Sequence, residues 1–393
     1  MNNFIRILIG ADFVPTDSNK DLFCSGDVES LFDNKLLDLI DSSDVRLFNL
    51  EAPLIDYSAP IMKCGPIIGI DKNVINGIKK LKPTCFTLSN NHIMDHGSSG
   101  LECTIKTLND NHIDFCGVGD NINNLSSYWI KEIDGINLCV YTCAEHEFSI
   151  ATQNSAGANP FDPLTSYNEV EQISKKSDFV IVLYHGGKEF YPYPSPDLQL
   201  YCRKFVDSGA DLVICQHSHC IGSEEDYNGK KIIYGQGNFL FDDGTKILGW
   251  DNGLLLDVKV SKKHKLCSLD YVVLSRKNNG VVVADDKEFK KIMSDYKNRS
   301  NNIKSEKFIQ DSYSKFANHS LSILLRKYDL LGNTFLFRFL NKITKQKFGE
   351  LYFNKIYLRR KSFDLQNAIE CEAWRELALR GIKDYNEKRG IRK

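Results

Sequence analysis

The sequence has no Cys-x-x-Cys pair and no long apolar run, although it contains twelve cysteines and is 42% hydrophobic. Its first apolar stretch ends at Asp12 and is accompanied by one early positive charge, Arg6. That stretch is too short for the hydrophobic core of a signal sequence or for a membrane span. We therefore expect a cytoplasmic protein that is not exported by the usual route, with its cysteines as buried free thiols.

Net charge is also nearly absent, at −1, but the charge is unevenly distributed. Residues 301–393 contain 20 Lys and Arg against 10 Asp and Glu, a net charge of +10, which leaves −11 for residues 1–300. Proline is missing altogether from residues 286–393. This Lys-rich segment without proline predicts a helical C-terminal region whose surface differs from that of the rest of the chain.

The first 280 residues contain short apolar runs that alternate with helix-length periodic stretches. The predicted strands are residues 5–9, 45–49, 85–88, 138–142, 179–184, 212–215 and 231–234. The predicted helices are residues 27–40, 73–81, 98–111, 167–175 and 196–207. Such alternation predicts an α/β fold. We expect one domain over residues 1–280 and a basic, mainly helical region over residues 281–393.

The pattern changes after Asn238, where strand-like runs follow each other without helices. Residues 254–260 and 269–274 are such runs, and Asn278-Asn279-Gly280 has the composition of a turn. Strands joined by short turns pair antiparallel. We therefore expect these runs to complete a sheet in antiparallel orientation.

Metal-capable side chains follow several of the predicted strands. Asp12 follows the first strand and Glu51 follows the second. Each acid alone is typical of a turn or a solvated loop. Residues 89–97, Ser-Asn-Asn-His-Ile-Met-Asp-His-Gly, are harder to explain, because turn chemistry accounts for the Asn and Asp residues but not for His92 and His96.

The positions of the histidines give the strongest indication of a metal site. His185 ends a strand-like run and precedes two glycines, which permit close approach of a ligand to the backbone. His217 and His219 follow the run 212–215 and can reach two neighbouring metals or two sides of one. Four of the nine histidines directly follow strand-like runs, whereas a solvated surface would scatter them. The pattern predicts a metal site at the strand ends.

These motifs resemble those of bacterial capsule-synthesis proteins of the poly-gamma-glutamate (CapA) type, whose domain is similar to the calcineurin-like metallophosphoesterases. The resemblance covers roughly residues 4–245 and rests on Asn49-Leu50-Glu51, Asn90-Asn91-His92 with Asp95 and Gly97, His185-x-Gly with Glu189, residues 209–214 leading into His217-x-His219, and residues 234–239. It implies a four-layer α-β-β-α sandwich of two mixed β-sheets flanked by helices, like that of the metallo-dependent phosphatases.

The resemblance also implies the ligands of two divalent ions, Mn, Fe or Zn. Asp12 and His219 would hold one ion. The other would be held by Asn91, His185 and His217, with Glu51 as the bridge between them. Oxygen and imidazole ligands suit these metals, and no thiolate is needed. Two such ions about 3.5 to 4 Å apart activate a water and neutralise charge on phosphorus.

Other roles are implied for residues beside these ligands. His92 would be the general acid or the group that stabilises a phosphoryl oxygen, with Asp95 as its catalytic partner. Asn90 and Glu189 would contact the substrate. The substrate's identity would depend on the loops 57–69, 145–163 and 189–196.

The chain departs from the family pattern at three places. Val14 stands where a His usually follows the first Asp by two residues, Ala11 separates Gly10 from Asp12, and Gln216 stands where another His is usual. The departures at Val14 and Ala11 predict that the first metal is weakly held or that the site binds a single ion. The departure at Gln216 predicts a different pocket wall. The family's usual N-terminal membrane anchor is not found.

Two functions follow as alternatives. The first is a metal-dependent hydrolase of the phosphoesterase type, acting in the biosynthesis of a capsule, poly-gamma-glutamate or another surface polymer. The second is a non-catalytic metal-containing factor in polymer assembly or export. The expected partner is a polymer or phosphoester substrate; specific nucleic-acid binding is not expected, because no known nucleic-acid-binding signature is found.

Basic residues alternate with aromatic residues between residues 337 and 363. One interpretation is contact with an acidic polymer, with the capsule machinery or, peripherally, with the anionic inner membrane face, because each basic group near an anionic surface adds about 1 kcal/mol. The other interpretation is a helical extension whose charged face is simply solvated.

Overall fold

A computed structural model of the chain describes residues 4–328 apart from 64, 243, 245, 246 and 248, together with residues 334–358 and residue 369. The strands are β1 (Ile5–Val14), β2 (Val45–Leu50), β3 (Leu54–Ile55), β4 (Ile70–Asp71), β5 (Cys85–Thr87), β6 (Asp114–Cys116), β7 (Val118–Gly119), β8 (Tyr128–Ile133), β9 (Ile136–Ala144), β10 (Gly157–Ala158), β11 (Phe179–His185), β12 (Leu212–Gln216), β13 (Ile221–Tyr227), β14 (Lys230–Gln236), β15 (Asn238–Phe241), β16 (Asn252–Ser261), β17 (Lys265–Lys277) and β18 (Gly280–Val283). The helices are α1 (Lys20–Ser25), α2 (Asn34–Asp41), α3 (Ile75–Ile78), α4 (Gly97–Asp110), α5 (Ser166–Ser174), α6 (Pro196–Asp207), α7 (Asp286–Asn302), α8 (Glu306–Tyr328), α9 (Phe335–Ile343) and α10 (Lys347–Leu351).

Two large mixed sheets organise these strands. The first has the order β18-β17-β16-β1-β2-β5-β6, with β15 also paired to β1, and the second has the order β13-β14-β12-β11-β9-β8. Neighbours β1, β2, β5 and β6 are parallel, whereas β16 and β17 are antiparallel to their neighbours. In the second sheet, β9, β11, β12 and β14 are parallel and β8 and β13 pair antiparallel. The predicted α/β fold and its antiparallel completion are confirmed.

Side-chain alternation along the central strands creates the four layers. Ile7 of β1 and Ile181 of β11 lie in the core between the two sheets. Leu8 packs under the helices α1 to α4, and Val182 packs under α5 and α6. Because both faces of these strands are buried, their sequences read as continuous apolar runs. The predicted α-β-β-α sandwich is confirmed.

Several helices differ from their predicted bounds for local reasons. The predicted helix 27–40 is shorter in the structure and corresponds only to α2. The preceding helix α1 ends at Gly26 in a left-handed conformation (φ 79°). Helix α2 begins only after Asp33, which caps it by accepting a hydrogen bond from Leu36 N. The predicted helix 73–81 is broken into a single α-helical turn between two 3-10 turns, Lys72–Val74 and Lys79–Leu81. The predicted helix 196–207 coincides with α6.

Helix α7 belongs to the first of two compact units, Met1–Ile309 and Gln310–Lys393. Arg299 of α7 donates from Nε to Gly222 O in β13 at 2.7 Å, and Tyr296 is buried. The predicted domain boundary between residues 280 and 281 falls at the start of β18. The end of the family domain at this position remains a prediction. The compact units themselves divide after Ile309, because α7 covers the edge of the second sheet.

The second unit has a small aromatic core of its own. Phe337 of α9 and Phe353 are buried together, beside Phe348 and Tyr352. The predicted helical character holds for α9 and α10, and the predicted basic segment beyond residue 358 lies outside the described residues apart from residue 369. Among the described helices, none is long and apolar enough to cross a bilayer. The ten cysteines in the described ranges are all free thiols.

Candidate metal centre

The predicted site residues meet where the carboxyl ends of both sheets come together. Asp12 lies near the end of β1, and Glu51 directly follows β2. His185 ends β11, whereas His217 and His219 follow β12. Parallel strands end at a common edge, so residues distant in sequence become neighbours. The structure brings together all six residues for which the resemblance implies a metal-binding role: Asp12, Glu51, Asn91, His185, His217 and His219.

Glu51 is fully buried at the middle of this group. Neither of its carboxylate oxygens has a hydrogen-bond partner among the described residues. Its Oε1 lies 3.3 Å from His185 Nε2 and 3.8 Å from His219 Nε2, which is within ion-pair distance but without hydrogen-bond geometry. An ionised carboxylate is costly to bury unless it is paired and hydrogen-bonded or coordinates a metal. The environment of Glu51 therefore fits a bound cation.

Asp12 is equally buried but has several partners. Its Oδ1 accepts a hydrogen bond from Asn49 Nδ2 at 2.8 Å, and its Oδ2 lies 3.4 Å from His219 Nδ1. Burial by itself raises the pKa of Asp12, but the contact with His219 and the positive charge of His185 outweigh burial and lower it below its ordinary value. Asp12 is thus an ionised oxygen donor facing the histidines.

The pKa values of the three histidines are shifted in different directions. Burial lowers the pKa of each ring, yet the charges of Glu51 and Asp12 outweigh burial at His219 and raise its pKa to about 10. Glu51 raises the pKa of His185 in the same way. At His217 burial and the neighbouring histidines act together and lower the pKa well below its ordinary value. The low pKa of His217 leaves its ring in the neutral form that binds metals. A divalent ion beside Glu51 and Asp12 would replace the protons that His185 and His219 otherwise carry there, because metal binding releases protons from its ligands.

Distances among the candidate ligands are short. His185 Nε2 lies 3.0 Å from Asn91 Oδ1, and the ring centroids of His185 and His217 are 4.9 Å apart. One potential ligand atom from each of Glu51, His217 and His219 lies within 4.8 Å of the other two. His217 Nδ1 is buried and has no hydrogen-bond partner among the described side chains. A nitrogen left without a partner is a second feature that fits a bound cation.

The turn that presents His217 and His219 is strained. Both residues have positive φ values, 89° and 51°. Such conformations cost about 1 to 3 kcal/mol per non-glycine residue and persist at functional sites where the surroundings enforce them. Here Asp12 Oδ2 accepts from His217 N at 3.2 Å, and Asn238 Oδ1 lies 2.9 Å from His219 Nδ1. These contacts keep the two imidazoles close together, with their ring centroids 5.9 Å apart.

Gln216, one of the departures from the family pattern, joins the two sheets behind the site. Its Nε2 donates to Gly10 O at 3.2 Å and to Gln236 Oε1 at 3.1 Å. Gln236 Nε2 in turn donates to Ile9 O at 2.7 Å. These glutamines fix β12 and β14 against β1, so they set the separation between the two halves of the site.

His92 and Asp95 form a hydrogen-bonded pair beside the metal ligands. His92 Nδ1 lies 2.7 Å from Asp95 Oδ2, and both side chains are buried. Lys63 contacts both, with an ion pair to Asp95 Oδ1 and with Nζ 3.2 Å from His92 Nδ1. Asp95 Oδ2 also accepts from Ile68 N at 2.7 Å. The carboxylate thus orients the imidazole and is itself held in place.

Asn90 and Glu189, predicted to contact the substrate, occupy different environments. Asn90 is fully buried and donates from Nδ2 to Leu50 O at 2.8 Å, so it braces the turn that carries Glu51. Glu189 lines a cavity of about 780 Å³ that adjoins the site. His92 and His219 line the same cavity, together with aromatic side chains including Trp250. The cavity is large enough for a small ligand.

Several residues of the site were not predicted from the sequence. They are Asn49, Lys63, Glu145, Glu147 and Asn238. Asn49 and Asn238 belong to the motifs on which the resemblance rests, although no role was predicted for either. Glu145 directly follows β9, so the strand-end signal could have found it. Lys63 follows no strand directly and is covered only by the loop 57–69, which is predicted to set the substrate's identity.

Comparison with known proteins agrees with the motifs. Residues 7–243 match the family described as bacterial capsule synthesis protein PGA_cap. The chain is 29% identical over 211 residues to the PGA biosynthesis protein CapA of Bacillus subtilis, covering 52% of this chain and 54% of that protein. It is 29% identical over 188 residues to the capsule biosynthesis protein CapA of Bacillus anthracis, covering 44% and 46%. The chain therefore spans about half the length of these curated relatives.

Solved structures with a similar arrangement include a phosphatase from Mycoplasma pneumoniae, with a TM-score of 0.45 and 12% identity over 74% of this chain and 98% of that chain. A putative 5'-nucleotidase from Staphylococcus aureus has a TM-score of 0.44 and 14% identity over 75% and 58%. The family match rests on sequence and extends over more than half of the chain. This chain belongs to the bacterial capsule synthesis protein family PGA_cap.

Proposed function

We propose that this chain is a metal-dependent hydrolase of the phosphoesterase type, acting in the biosynthesis of a capsule, poly-gamma-glutamate or another surface polymer. The observation that carries the proposal is the buried carboxylate of Glu51, which has no hydrogen-bond partner among the described residues and lies between His185 and His219. The family of this chain and the names of its Bacillus relatives support the link to capsule synthesis.

The ligand atoms divide into two groups around Glu51. Asp12 and His219 would hold one divalent ion, and Asn91, His185 and His217 would hold the other. Glu51 would bridge the ions, which its approach to both His185 and His219 supports. Mn, Fe and Zn all accept such mixed nitrogen and oxygen ligands. When bound, a pair of divalent ions supplies charge stabilisation on a phosphoryl group and a nucleophile at neutral pH.

His92 would supply the proton that the leaving oxygen requires. Because Asp95 engages Nδ1 of the ring, Nε2 is the nitrogen available to a substrate in the adjoining cavity. A positioned general acid contributes roughly 10² to 10⁴ in rate. Glu189, which lines the cavity, would contact the substrate. Asn90 would hold the turn that carries Glu51 in place through its hydrogen bond to Leu50 O.

A non-catalytic role in polymer assembly or export is the second candidate, and Val14 favours it. Val14 is fully buried in the core beneath the helices, at the place where the resemblance leads one to expect a histidine. The first ion would then have few protein ligands. In this role the metal site would bind the carboxylates of the polymer rather than a reacting phosphoester.

We also propose that the second unit contacts an anionic membrane surface, which would put the chain at the inner face of the membrane. Helix α9 leaves Phe335, Leu336, Phe339 and Ile343 exposed, and Lys342 lies on the same helix. An apolar helix face with basic neighbours is typical of helices that lie in the membrane interface. Residues 310–393 contain 18 Lys and Arg against 9 Asp and Glu, a net charge of +9 that complements such a surface.

The direct test compares the full-length wild type with His92→Ala. We expect purified wild type to contain a divalent metal and to hydrolyse an aryl phosphate with added Mn²⁺, and His92→Ala to keep the metal and lose turnover by about 10² or more. His264→Ala, in an exposed turn, is the matched control. Bound metal and poly-gamma-glutamate affinity without turnover on a phosphoester panel would favour the non-catalytic role. Absence of bound metal under all conditions would refute both.

A further inference from the structure

Three neighbouring parallel strands each end with a potential metal ligand. Strands β9, β11 and β12 lie side by side, and their ends carry Glu145, His185 and His217. The pairing of β9 with β11 sets Ala144 opposite His185, and Glu145 N donates to His185 O at 3.0 Å. The backbone therefore fixes the start of the segment 145–147 beside the metal ligands.

The side chains of this segment point to the same histidine. Glu145 Oε1 lies 3.5 Å from His217 Nε2. One potential ligand atom from each of Glu145, Glu147 and His217 lies within 4.8 Å of the other two. Glu147 Oε2 also accepts from Asn91 Nδ2 at 3.4 Å. Both carboxylates thus contact residues proposed to hold the second ion.

His217 links this cluster to the metal centre. Its side chain is only 4% exposed, and its Nε2 lies beside Glu145, whereas its other ring nitrogen, Nδ1, has no hydrogen-bond partner among the described residues. Glu145 is half-buried and Glu147 is exposed. Two carboxylates that approach one another repel unless a cation lies between them. Lys188 is the nearby cation on the chain, and its charge acts on Glu145. The described contacts do not include an ion pair between Lys188 and either carboxylate.

We propose that Glu145 and Glu147 complete the second metal position around His217 and give it a preference for a divalent ion that favours oxygen ligands, Mn²⁺ over Zn²⁺. The proposal rests on the metal centre of the proposed function. Without these acids the second position has two imidazoles, one amide oxygen and the Glu51 bridge. With them oxygen becomes the majority donor, and carboxylate and carbonyl oxygens suit Mn²⁺ whereas imidazole suits Zn²⁺.

The test measures Mn²⁺ and Zn²⁺ binding to the full-length chain by calorimetric titration. The variant is Glu145→Gln with Glu147→Gln, and the control is Glu132→Gln with Glu171→Gln, which removes the same charge from exposed positions in β8 and α5. We expect the double variant to bind one Mn²⁺ equivalent at least tenfold more weakly and to change Zn²⁺ affinity less than threefold. We expect the control to match the wild type for both ions.

Two outcomes separate this inference from the proposed function. Equal Mn²⁺ affinity in wild type and double variant overturns the role of Glu145 and Glu147 but leaves the metal centre in place. A wild type that binds neither ion overturns the metal centre and this inference together. If the double variant melts below the wild type in chelator, Glu147→Gln alone decides the question, because Glu147 is exposed; unchanged Mn²⁺ affinity in that variant again overturns the inference.

Discussion

Glu51 is the residue on which the proposed metal centre most depends. In Glu51→Gln a neutral amide replaces the buried carboxylate, so the bridge between the two ligand groups is lost. We expect Mn²⁺ at 100 times its dissociation constant to stabilise the wild type by about 2.7 kcal/mol, and to stabilise the variant by much less. Thermal melts in chelator and in Mn²⁺ measure both. Equal stabilisation of the two proteins would contradict a bridging role for Glu51.

Asp95 acts on the proposed chemistry through His92. Asp95→Asn keeps the shape of the side chain but removes the charge that orients the imidazole. We expect turnover of an aryl phosphate to fall by roughly 10² to 10⁴ while metal content stays at the wild-type level. Asp120→Asn, in an exposed loop, is the control. If metal content falls together with turnover, Asp95 supports the fold of the site rather than the proton transfer.

The site residues could be predicted from the sequence where they directly follow or end a predicted strand. Asp12, Glu51, His185 and the His217 turn all follow apolar runs, and parallel strand ends meet in three dimensions. Lys63 could not be found in this way, because it reaches Asp95 from a loop whose path depends on the whole fold. Glu145 lies in the predicted specificity loop 145–163, although it directly follows β9 as the other site residues follow their strands.

Helix α7 stabilises the second sheet from outside the predicted domain. Tyr296 is 2% exposed, packs in the core between the sheets and bonds through its hydroxyl to Glu224 Oε2 at 3.0 Å. We expect Tyr296→Ala to lower the free energy of unfolding by about 3 to 5 kcal/mol, as for other large buried side chains. Phe289→Ala on the same helix is the control, because Phe289 is exposed. Urea unfolding measures both; equal losses would contradict the packing role of α7.

Strands that are buried on both faces were predictable, whereas two exposed edge strands were missed. Strand β11 is buried along its whole length and was found, whereas β8 and β13 are edge strands with exposed, polar residues and were not. The domain boundary was set at the end of the strand pattern. It could not have included α7, because the sequence does not say that this helix packs back on β13.

Membrane contact is a property of the whole molecule, because it combines an apolar helix face with the charge of a long segment. We expect the full-length wild type to float with anionic vesicles at low salt and to dissociate at high salt. We expect Phe335→Ser with Phe339→Ser to reduce binding, since both side chains are exposed on α9. Phe289→Ser with Phe148→Ser, at exposed positions in the first unit, is the control. Absence of wild-type binding even at low salt would end the membrane proposal.

The proposed centre draws its ligands from both sheets, and the side chains of Gln216 and Gln236 form hydrogen bonds that connect those sheets behind it. A slip of one sheet along the other would move Asp12 and Glu51 in one direction and the histidines in the other. Mutations deep in the shared apolar layer, far from any ligand, should therefore alter cation affinity before they unfold the protein. The measured affinity for the ion would therefore report how well the two sheets are aligned with each other.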